Sequence, residues 1–369
     1  MKNRSEYYIG IMSGTSMDGT DAVLIQMQGT QWQAACAHAF LPYSDNLKQR
    51  LLDLQNVGQN ELHRSQMLAQ ELADLYAQVV QNLLQQANVQ AASVRAIGCH
   101  GQTIRHAPEC GYSIQLVNLA RLAERTGIFT IGDFRSRDLA AGGQGAPLVP
   151  AFHHSLFATP NETRVLLNIG GIANISVLPP DDAPFGFDTG VGNMLLDAWT
   201  WANWSQAYDK NGERAAQGKI LPDLLQRLCA HPYFAQPYPK STGRELFSLA
   251  WLQSHLSGDE EPHDVLRTLV QFSAQTIADA IEQAACTARH VYVCGGGVAN
   301  PTLMSSLHTL LAQQNRQCHS TDVLQLNPQW IEAAAFAWLA ACWCNQVPSN
   351  PHRATGANRP VVLGAGYWA

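Results

Sequence analysis

Three short stretches of this chain combine residue types that suit chemistry on a phosphate and on a nearby hydroxyl. The first is Met12-Ser13-Gly14-Thr15-Ser16-Met17-Asp18-Gly19-Thr20-Asp21, set between two apolar runs. Backbone N–H groups of such a turn can converge on an anion, and glycine lets the anion come close. Asp18-Gly19 is also a hairpin signal, because both residues tolerate the left-handed backbone. The second is Phe185-Gly186-Phe187-Asp188-Thr189-Gly190-Val191-Gly192-Asn193-Met194. It reads as the end of a strand, a glycine–hydroxyl turn and a helix whose N-terminus favours phosphate. Asp188 there suits removal of a proton from a nucleophile, or capping of the turn or helix. The third is His290-Val291-Tyr292-Val293-Cys294-Gly295-Gly296-Gly297-Val298-Ala299-Asn300, a buried strand running into three glycines and then a helix. It reads as a flat surface for a nucleoside, a dinucleotide-binding turn, or a plain strand–helix turn. For the dinucleotide reading the third glycine position holds Asn300, with Asp322 as its acidic partner.

Other polar clusters suit a ligand with many hydroxyls. Cys99-His100-Gly101-Gln102-Thr103-Ile104-Arg105-His106 reads as a loop after a strand, a place where function concentrates, or as a self-satisfied polar loop. Gln102 and Thr103 suit a sugar. Arg135 and Arg137, in Asp133-Phe134-Arg135-Ser136-Arg137-Asp138, can fork onto an anionic group or belong to a surface charge cluster. Glu332 opens a very apolar helix, where an acid suits the helix N-terminus. His100 and His106 lack a third metal ligand. No G-x-x-x-x-G-K-[ST] motif exists; Lys240-Ser241-Thr242-Gly243 has the wrong spacing.

The elements that must position these groups alternate between strand and helix, which makes the class α/β. Residues 32–40, 94–99, 113–116 and 129–131 read as strands. Leu68, Leu72, Leu75, Val79 and Leu83 repeat at helical spacing within 62–86, and 119–126 is a second helix. Residues 164–169 and 172–178 flank Gly170-Gly171 and echo the first hairpin. Helices are expected at 194–202, 264–287, after Asn300-Pro301 and at 332–344, with a polar stretch through Thr242. The glycine-rich 140–147 segment joins two lobes or lines a cleft.

With 369 residues, 46% hydrophobic, two domains are the first expectation at roughly 100–200 residues each. A net charge of −6 argues against nucleic acid as the main partner. The longest apolar stretch, 333–344, is far short of the ~20 residues of a membrane span, so no membrane is expected. Nine cysteines without a C-x-x-C pair fit a reducing cytoplasm rather than a disulfide framework or structural zinc.

Taken in order along essentially the whole chain, these motifs resemble the anhydro-N-acetylmuramic acid kinase family. The match includes Asn168-Ile169-Gly170-Gly171-Ile172-Ala173-Asn174, Gly142-Gly143-Gln144-Gly145-Ala146-Pro147 and Lys240-Ser241-Thr242-Gly243-Arg244-Glu245. Val191 departs from it, since some members have Pro there. The resemblance implies a two-lobed, actin-like (ribonuclease H-like) ATPase fold of the sugar kinase and heat-shock chaperone superfamily. Each lobe would be a mixed sheet with flanking helices, with the ligand cleft between lobes. The expected division is an N-terminal lobe over 1–135, with 355–369 packing back on it, and a C-terminal lobe over 136–354.

The implied activity is ATP- and Mg²⁺-dependent conversion of 1,6-anhydro-N-acetylmuramic acid and water to N-acetylmuramic acid 6-phosphate and ADP, in peptidoglycan recycling. Gly14, Thr15, Ser16, Met17, Asp18, Gly19, Thr20 and Asp21 would form the first phosphate loop, with Asp18 holding Mg²⁺ through water. Gly170, Gly171 and Asn174 would form the second, and Gly295, Gly296 and Gly297 would contact the adenosine. Asp188 matches the catalytic aspartate. Gln102, Thr103, Arg135 and Glu332 are the expected sugar contacts. A homodimer is neither demanded nor excluded. The competing readings are a plain sugar kinase or ATPase of the same fold, a nucleotide-dependent sensor without sugar chemistry and, more distantly, a dinucleotide-dependent oxidoreductase.

Overall fold

A computed structural model of the protein describes residues 5–14, 17–243, 246–324 and 326–369. It forms two compact units, Met1–Leu156 with Trp330–Ala369, and Phe157–Gln329.

In the first unit, β1 (Glu6–Ser13), β2 (Gly19–Gln28) and β3 (Gln31–Pro42) run antiparallel in succession. Among the described residues of the first turn Met17 is left-handed (φ 56°), and Asp18 and Gly19 are not. Gly19 is required for packing instead: a Cβ there would lie 2.4 Å from the Leu41 carbonyl oxygen. Gly19, Thr20 and Asp21 already belong to β2, so the turn is shorter than the sequence suggested. The expected roles of Thr15 and Ser16, like Arg244 and Glu245 of the family motif, lie outside the described residues.

Helix α1 (Asp45–Gln55) starts where Ser44 accepts from the Leu47 N–H at 3.2 Å. Helix α2 (Glu61–Ala87) buries Leu68, Leu72, Val79 and Leu83 of the predicted stripe, with Tyr76 fully buried where Leu75 was expected and Leu75 only partly buried. Strand β4 (Val94–Ala107) lies parallel to β1, and β5 (Tyr112–Leu116) folds back against it. The sequence reading ended this strand at Cys99 and made His100–His106 a loop. Pairing with β5 extends the strand through those residues, with an irregularity between Thr103 and Arg105. Helix α3 (Leu119–Thr126), β6 (Thr130–Gly132), α4 (Ser136–Ala140) and α5 (Val149–Phe157) follow.

The second unit opens with β7 (Arg164–Ile169) and β8 (Ile172–Leu178), joined through Gly170-Gly171 as expected. Strand β9 (Phe185–Val191) and α6 (Met194–Trp204) come next. Helices α7 (Pro222–Cys229) and α8 (Leu249–Gln253) then give regular structure to segments the sequence reading left without elements. Helix α9 (Pro262–Ala284) buries Val265, Leu269, Phe272, Ile277 and Ile281 in this unit's core. Strand β10 (His290–Cys294), α10 (Pro301–Gln313) and β11 (Gln317–Ser320) complete it. Asn300 caps α10 by accepting from the Leu303 N–H at 3.1 Å.

The chain then returns to the first unit with α11 (Ile331–Cys344), α12 (His352–Thr355) and β12 (Ala365–Tyr367). Helix α11 is buried nearly all round because its backbone lies directly on the sheet. A Cβ at Gly10 would fall 1.8 Å from the Ala333 carbonyl oxygen, and one at Gly98 2.0 Å from that of Phe336. Gly10 and Gly98 are register partners on β1 and β4, so together they make the groove that accepts the alanine-rich helix.

The unit boundaries differ from the 1–135 and 136–354 division read from sequence. Asp138, on α4, is fully buried and accepts from Asn350 Nδ2 (3.0 Å) and Thr355 Oγ1 (2.8 Å). The Gln144 N–H donates to the Thr355 carbonyl at 2.8 Å. These bonds, with α11 against β1 and β4, hold both 136–156 and 330–354 in the first unit.

Each unit carries one mixed sheet. The strand orders are β12-β6-β4-β1-β2-β3, with β5 beside β4, and β11-β10-β7-β8-β9. In both, three antiparallel strands are followed by strands parallel to the first of them.

Candidate active site

The base of the β1–β2 turn is fixed by a chain of hydroxyls. Ser13 Oγ donates to Gln102 Oε1 and lies 2.7 Å from the Tyr43 hydroxyl, itself 3.1 Å from that of Tyr76. Gln102 Nε2 donates to the Gly14 carbonyl at 3.1 Å. Burial raises the Tyr43 pKa to about 12 and that of Tyr76 well above normal, so the chain stays neutral. Gln102 was expected to touch sugar. Its side chain is fully buried and bonded at both ends, through Oε1 to Ser13 and through Nε2 to Gly14, so it braces the turn.

The other described loop residues divide in the same way. Met17 buries its side chain in the core and donates its N–H to the Gly14 carbonyl at 3.2 Å. Thr20 Oγ1 donates to the Met12 carbonyl. Asp21 Oδ1 lies 2.7 Å from His38 Nε2, whose ring stacks on Trp330. Asp18 alone among these residues turns its carboxylate outward, 67% exposed, with Lys48 Nζ at 3.1 Å.

Strand β4, the start of α4 and the first turn of α11 bring together His100, Arg135 and Glu332. Arg135 donates from Nη2 to His100 Nε2 at 2.9 Å and from Nη1 to the Gly145 carbonyl at 2.6 Å. Burial, with Arg135 adding to it, lowers the His100 pKa to about 3, so the imidazole is neutral. Burial also lowers Arg135 to about 10, against the opposing charges of Glu332 and Asp138. His100 Nδ1 and Arg135 Nε are buried without a hydrogen-bond partner among the described residues. Thr103 Oγ1 accepts from Gln115 Nε2 at 3.2 Å. Arg135 is thus tied to His100 and the Gly145 carbonyl, whereas Arg137 of the same run is exposed.

In the second unit, Asp188 is not at a strand end and caps no helix. It lies within β9 at a bulge: Ala173 pairs with Gly190 and Asn174 with Asp188, leaving Thr189 extra. The register aligns Cys294, Asn168, Asn174 and Asp188 across four strands. Asn174 thus flanks the acid rather than sitting in the Gly170-Gly171 turn.

A neighbouring segment holds the acid. The Thr242 N–H donates to Asp188 Oδ2 at 3.0 Å, and the Asp188 N–H to the Lys240 carbonyl at 3.0 Å. The Tyr233 hydroxyl donates to the Asp188 carbonyl at 2.6 Å. Lys240 Nζ donates to the carbonyls of Tyr233 and Phe234 at 3.1 and 3.0 Å. Burial pushes the Asp188 carboxyl up to about 6 against the single Thr242 bond, near the range in which a general base is most useful. Tyr233, Lys240 and Thr242 were not foreseen as its supports; they lie about fifty residues along, with no local signal.

The glycine turns differ in what they need. Among the described residues a Cβ at Gly170 or Gly171 would meet nothing nearer than 3.4 Å, and one at Gly296 nothing within 4 Å. Gly295 (φ 83°) and Gly297 are closed by Asn168 Oδ1 at 2.3 Å and the Ile169 side chain at 2.4 Å. Two of the three consecutive glycines are therefore packing requirements, and Gly296 is the open one. The Gly192, Asn193 and Met194 N–H groups donate to the Gly171, Gly170 and Gly171 carbonyls at 2.9, 2.9 and 3.0 Å, tying the hairpin to the start of α6.

Two mixed sheets of like topology with flanking helices, each with a glycine turn beside its first strand, define a two-unit α/β fold. Residues 6–369 match the family model described as anhydro-N-acetylmuramic acid kinase. The anhydro-N-acetylmuramic acid kinase of Neisseria meningitidis serogroup C (strain 053442) is 64% identical over 364 residues, covering 99% of each chain. That of Nitrosomonas europaea is 49% identical over 363 residues, 98% of this chain and 99% of its own. Among solved structures, the activator of 2-hydroxyisocaproyl-CoA dehydratase from Clostridium difficile aligns loosely, at 13% identity and TM-score 0.46 over 91% of this chain and 94% of that one. The chain belongs to the anhydro-N-acetylmuramic acid kinase family.

Proposed function

We propose that this chain uses ATP and water to open the 1,6-anhydro ring of 1,6-anhydro-N-acetylmuramic acid and phosphorylate O6. The products are N-acetylmuramic acid 6-phosphate and ADP, which returns a cell-wall amino sugar to metabolism in the cytoplasm. The observation that carries the mechanism is Asp188: Oδ2 is held by Thr242, Oδ1 has no protein hydrogen bond among the described residues, and the carboxyl titrates near 6.

Asp188 takes a proton from a water attacking the anomeric carbon. The new C1–O bond forms as the C1–O6 bond breaks, and O6 leaves with its electron pair. That oxygen then attacks the γ-phosphorus in line, and the bond to the β-phosphate oxygen breaks to release ADP. Positioning and electrostatics supply most of the rate in such a transfer. Gly14, Gly170 and Gly171 offer backbone close to the phosphates, and Gly296 offers an open surface to the nucleoside. Arg135, with its unspent Nε–H, and Glu332 meet polar groups of the sugar, as does Thr103. Mg²⁺ belongs to this reading. The exposed Asp18 carboxylate suits a hold through water, since Mg²⁺ keeps several waters and takes one or two carboxylates plus phosphate oxygens. Bound there, it would neutralise phosphate charge.

ADP release with the anhydro sugar, with N-acetylmuramic acid and with no sugar tests the reading. Turnover should require the anhydro sugar. Equal or faster turnover of the hydrated sugar would make this a plain sugar kinase, and nucleotide binding without sugar-dependent ADP release would make it a sensor.

A further inference from the structure

Helices α9 and α10 of the second unit flank a cavity of about 280 Å³ that the kinase chemistry does not use. Arg267 and Gln271 from α9 and Ser305, Ser306, Thr309 and Gln313 from α10 line it, beside the apolar Ile220 and Leu310. Residues four apart share a helix face, so each helix gives the cavity one continuous polar stripe. No aspartate or glutamate is in the lining.

Arg267 has no ion pair or hydrogen bond among the described residues, and its Nη1 is buried without a partner. Asp264, one turn earlier, accepts from the Lys219 N–H through Oδ1 at 2.7 Å and makes no ion pair with Arg267. Burial lowers the Arg267 pKa and no neighbouring acid opposes it. Ser306 is only 6% exposed, and its Oγ is likewise buried and unpartnered. Leaving a guanidinium and a hydroxyl half-removed from water without an acceptor is unfavourable. An anion with several acceptor oxygens would satisfy both. The cavity is separate from the glycine turn: its α10 residues start more than one helical turn beyond Pro301.

We propose that this cavity binds a small oxyanion, a phosphate group either free or carried on a small metabolite, with Arg267 as its charge partner and Ser306 as a hydroxyl donor. The proposal stands independently of the kinase reading.

Calorimetric titration with inorganic phosphate tests it, using protein saturated with a non-hydrolysable ATP analogue so that the nucleotide site is filled. The wild type should bind one phosphate. Arg267→Gln should weaken binding at least tenfold and Arg267→Lys by less, with kinase turnover unchanged in both. Ser306→Ala should weaken it about threefold, and decides the matter should Arg267→Gln fail to fold. Glucose 6-phosphate as a second titrant separates the sources: tighter binding than phosphate identifies an organic phosphate as ligand, and equal binding identifies the free anion. The proposal fails if phosphate shows no binding at millimolar concentration, if chloride at matched ionic strength gives the same response, or if Arg267→Gln and Ser306→Ala both bind like the wild type.

Discussion

Asp138 and Asp188 are both held by backbone N–H groups, yet their surroundings give them opposite uses. Asp138 is fully buried and accepts from the Gly145 N–H at 2.8 Å, Asn350 Nδ2 and Thr355 Oγ1. Both its oxygens are occupied, so it ties the 142–146 segment to the C-terminal part of the chain. Asp188 has one oxygen fixed by Thr242, the other without a hydrogen bond among the described residues, and a carboxyl pushed up to about 6 by burial. A carboxylate whose lone pairs are all matched is architecture. One that is desolvated, oriented and left with an unspent oxygen can take a proton.

Exchanging each acid for a neutral residue tests that contrast most severely. Asp188→Asn should lower kcat about a thousandfold or more, the upper range for a general base, while ATP binding is kept. It should also stabilise the fold at high pH. The folded pKa lies above the ~3.9 of an unfolded aspartate, so ionisation opposes folding; the cost grows from about pH 4 and is complete above the folded value. At pH 8 the Asn variant should gain about 1–3 kcal/mol in urea denaturation, and near pH 4 nothing. Asp138→Ala should do the reverse. It strands three buried donors, and the urea midpoint should fall by an amount equivalent to about 3–5 kcal/mol.

Smaller effects sharpen the same division. Lys240→Met frees the Tyr233 and Phe234 carbonyls and loosens the segment that carries the Thr242 N–H. We expect kcat to fall about tenfold with the ATP KM unchanged and the acid limb of the pH profile moved upward; Lys240→Arg should restore part of the loss. A change of KM alone would deny Lys240 its positioning role. Among the glycines, Gly295→Ala should destabilise the protein, since its Cβ would strike Asn168 at 2.3 Å. Gly296→Ala meets no protein atom within 4 Å. It should leave the melting temperature alone and raise the ATP KM several-fold; an unchanged KM would remove Gly296 from the nucleotide surface.

Much of this was legible in sequence where the signal is local. The β7–β8 hairpin, α2 and β10 with its glycine turn follow from apolar runs, periodicity and punctuation within a few residues. What escaped depends on partners far along the chain. Strand β4 continues through polar His100–His106 because β5 pairs with it, and polarity alone reads as a loop. The groove at Gly10 and Gly98 exists for a helix more than two hundred residues later. Asp138 reads as surface charge until Asn350 and Thr355 are beside it, which also moved the unit boundaries. Asp188 was picked out by its glycine–hydroxyl context, but its supports, Tyr233, Lys240 and Thr242, carry no mark that points back to it.

The pH dependence of kcat/KM for the anhydro sugar tests the central claim most directly. With Asp188 as the base, the rate should fall tenfold per unit on the acid side below a pKa of about 6, and that limb should vanish from the residual activity of Asp188→Asn. A flat profile down to pH 4.5 in folded enzyme, or the same limb surviving in the Asn variant, would contradict it.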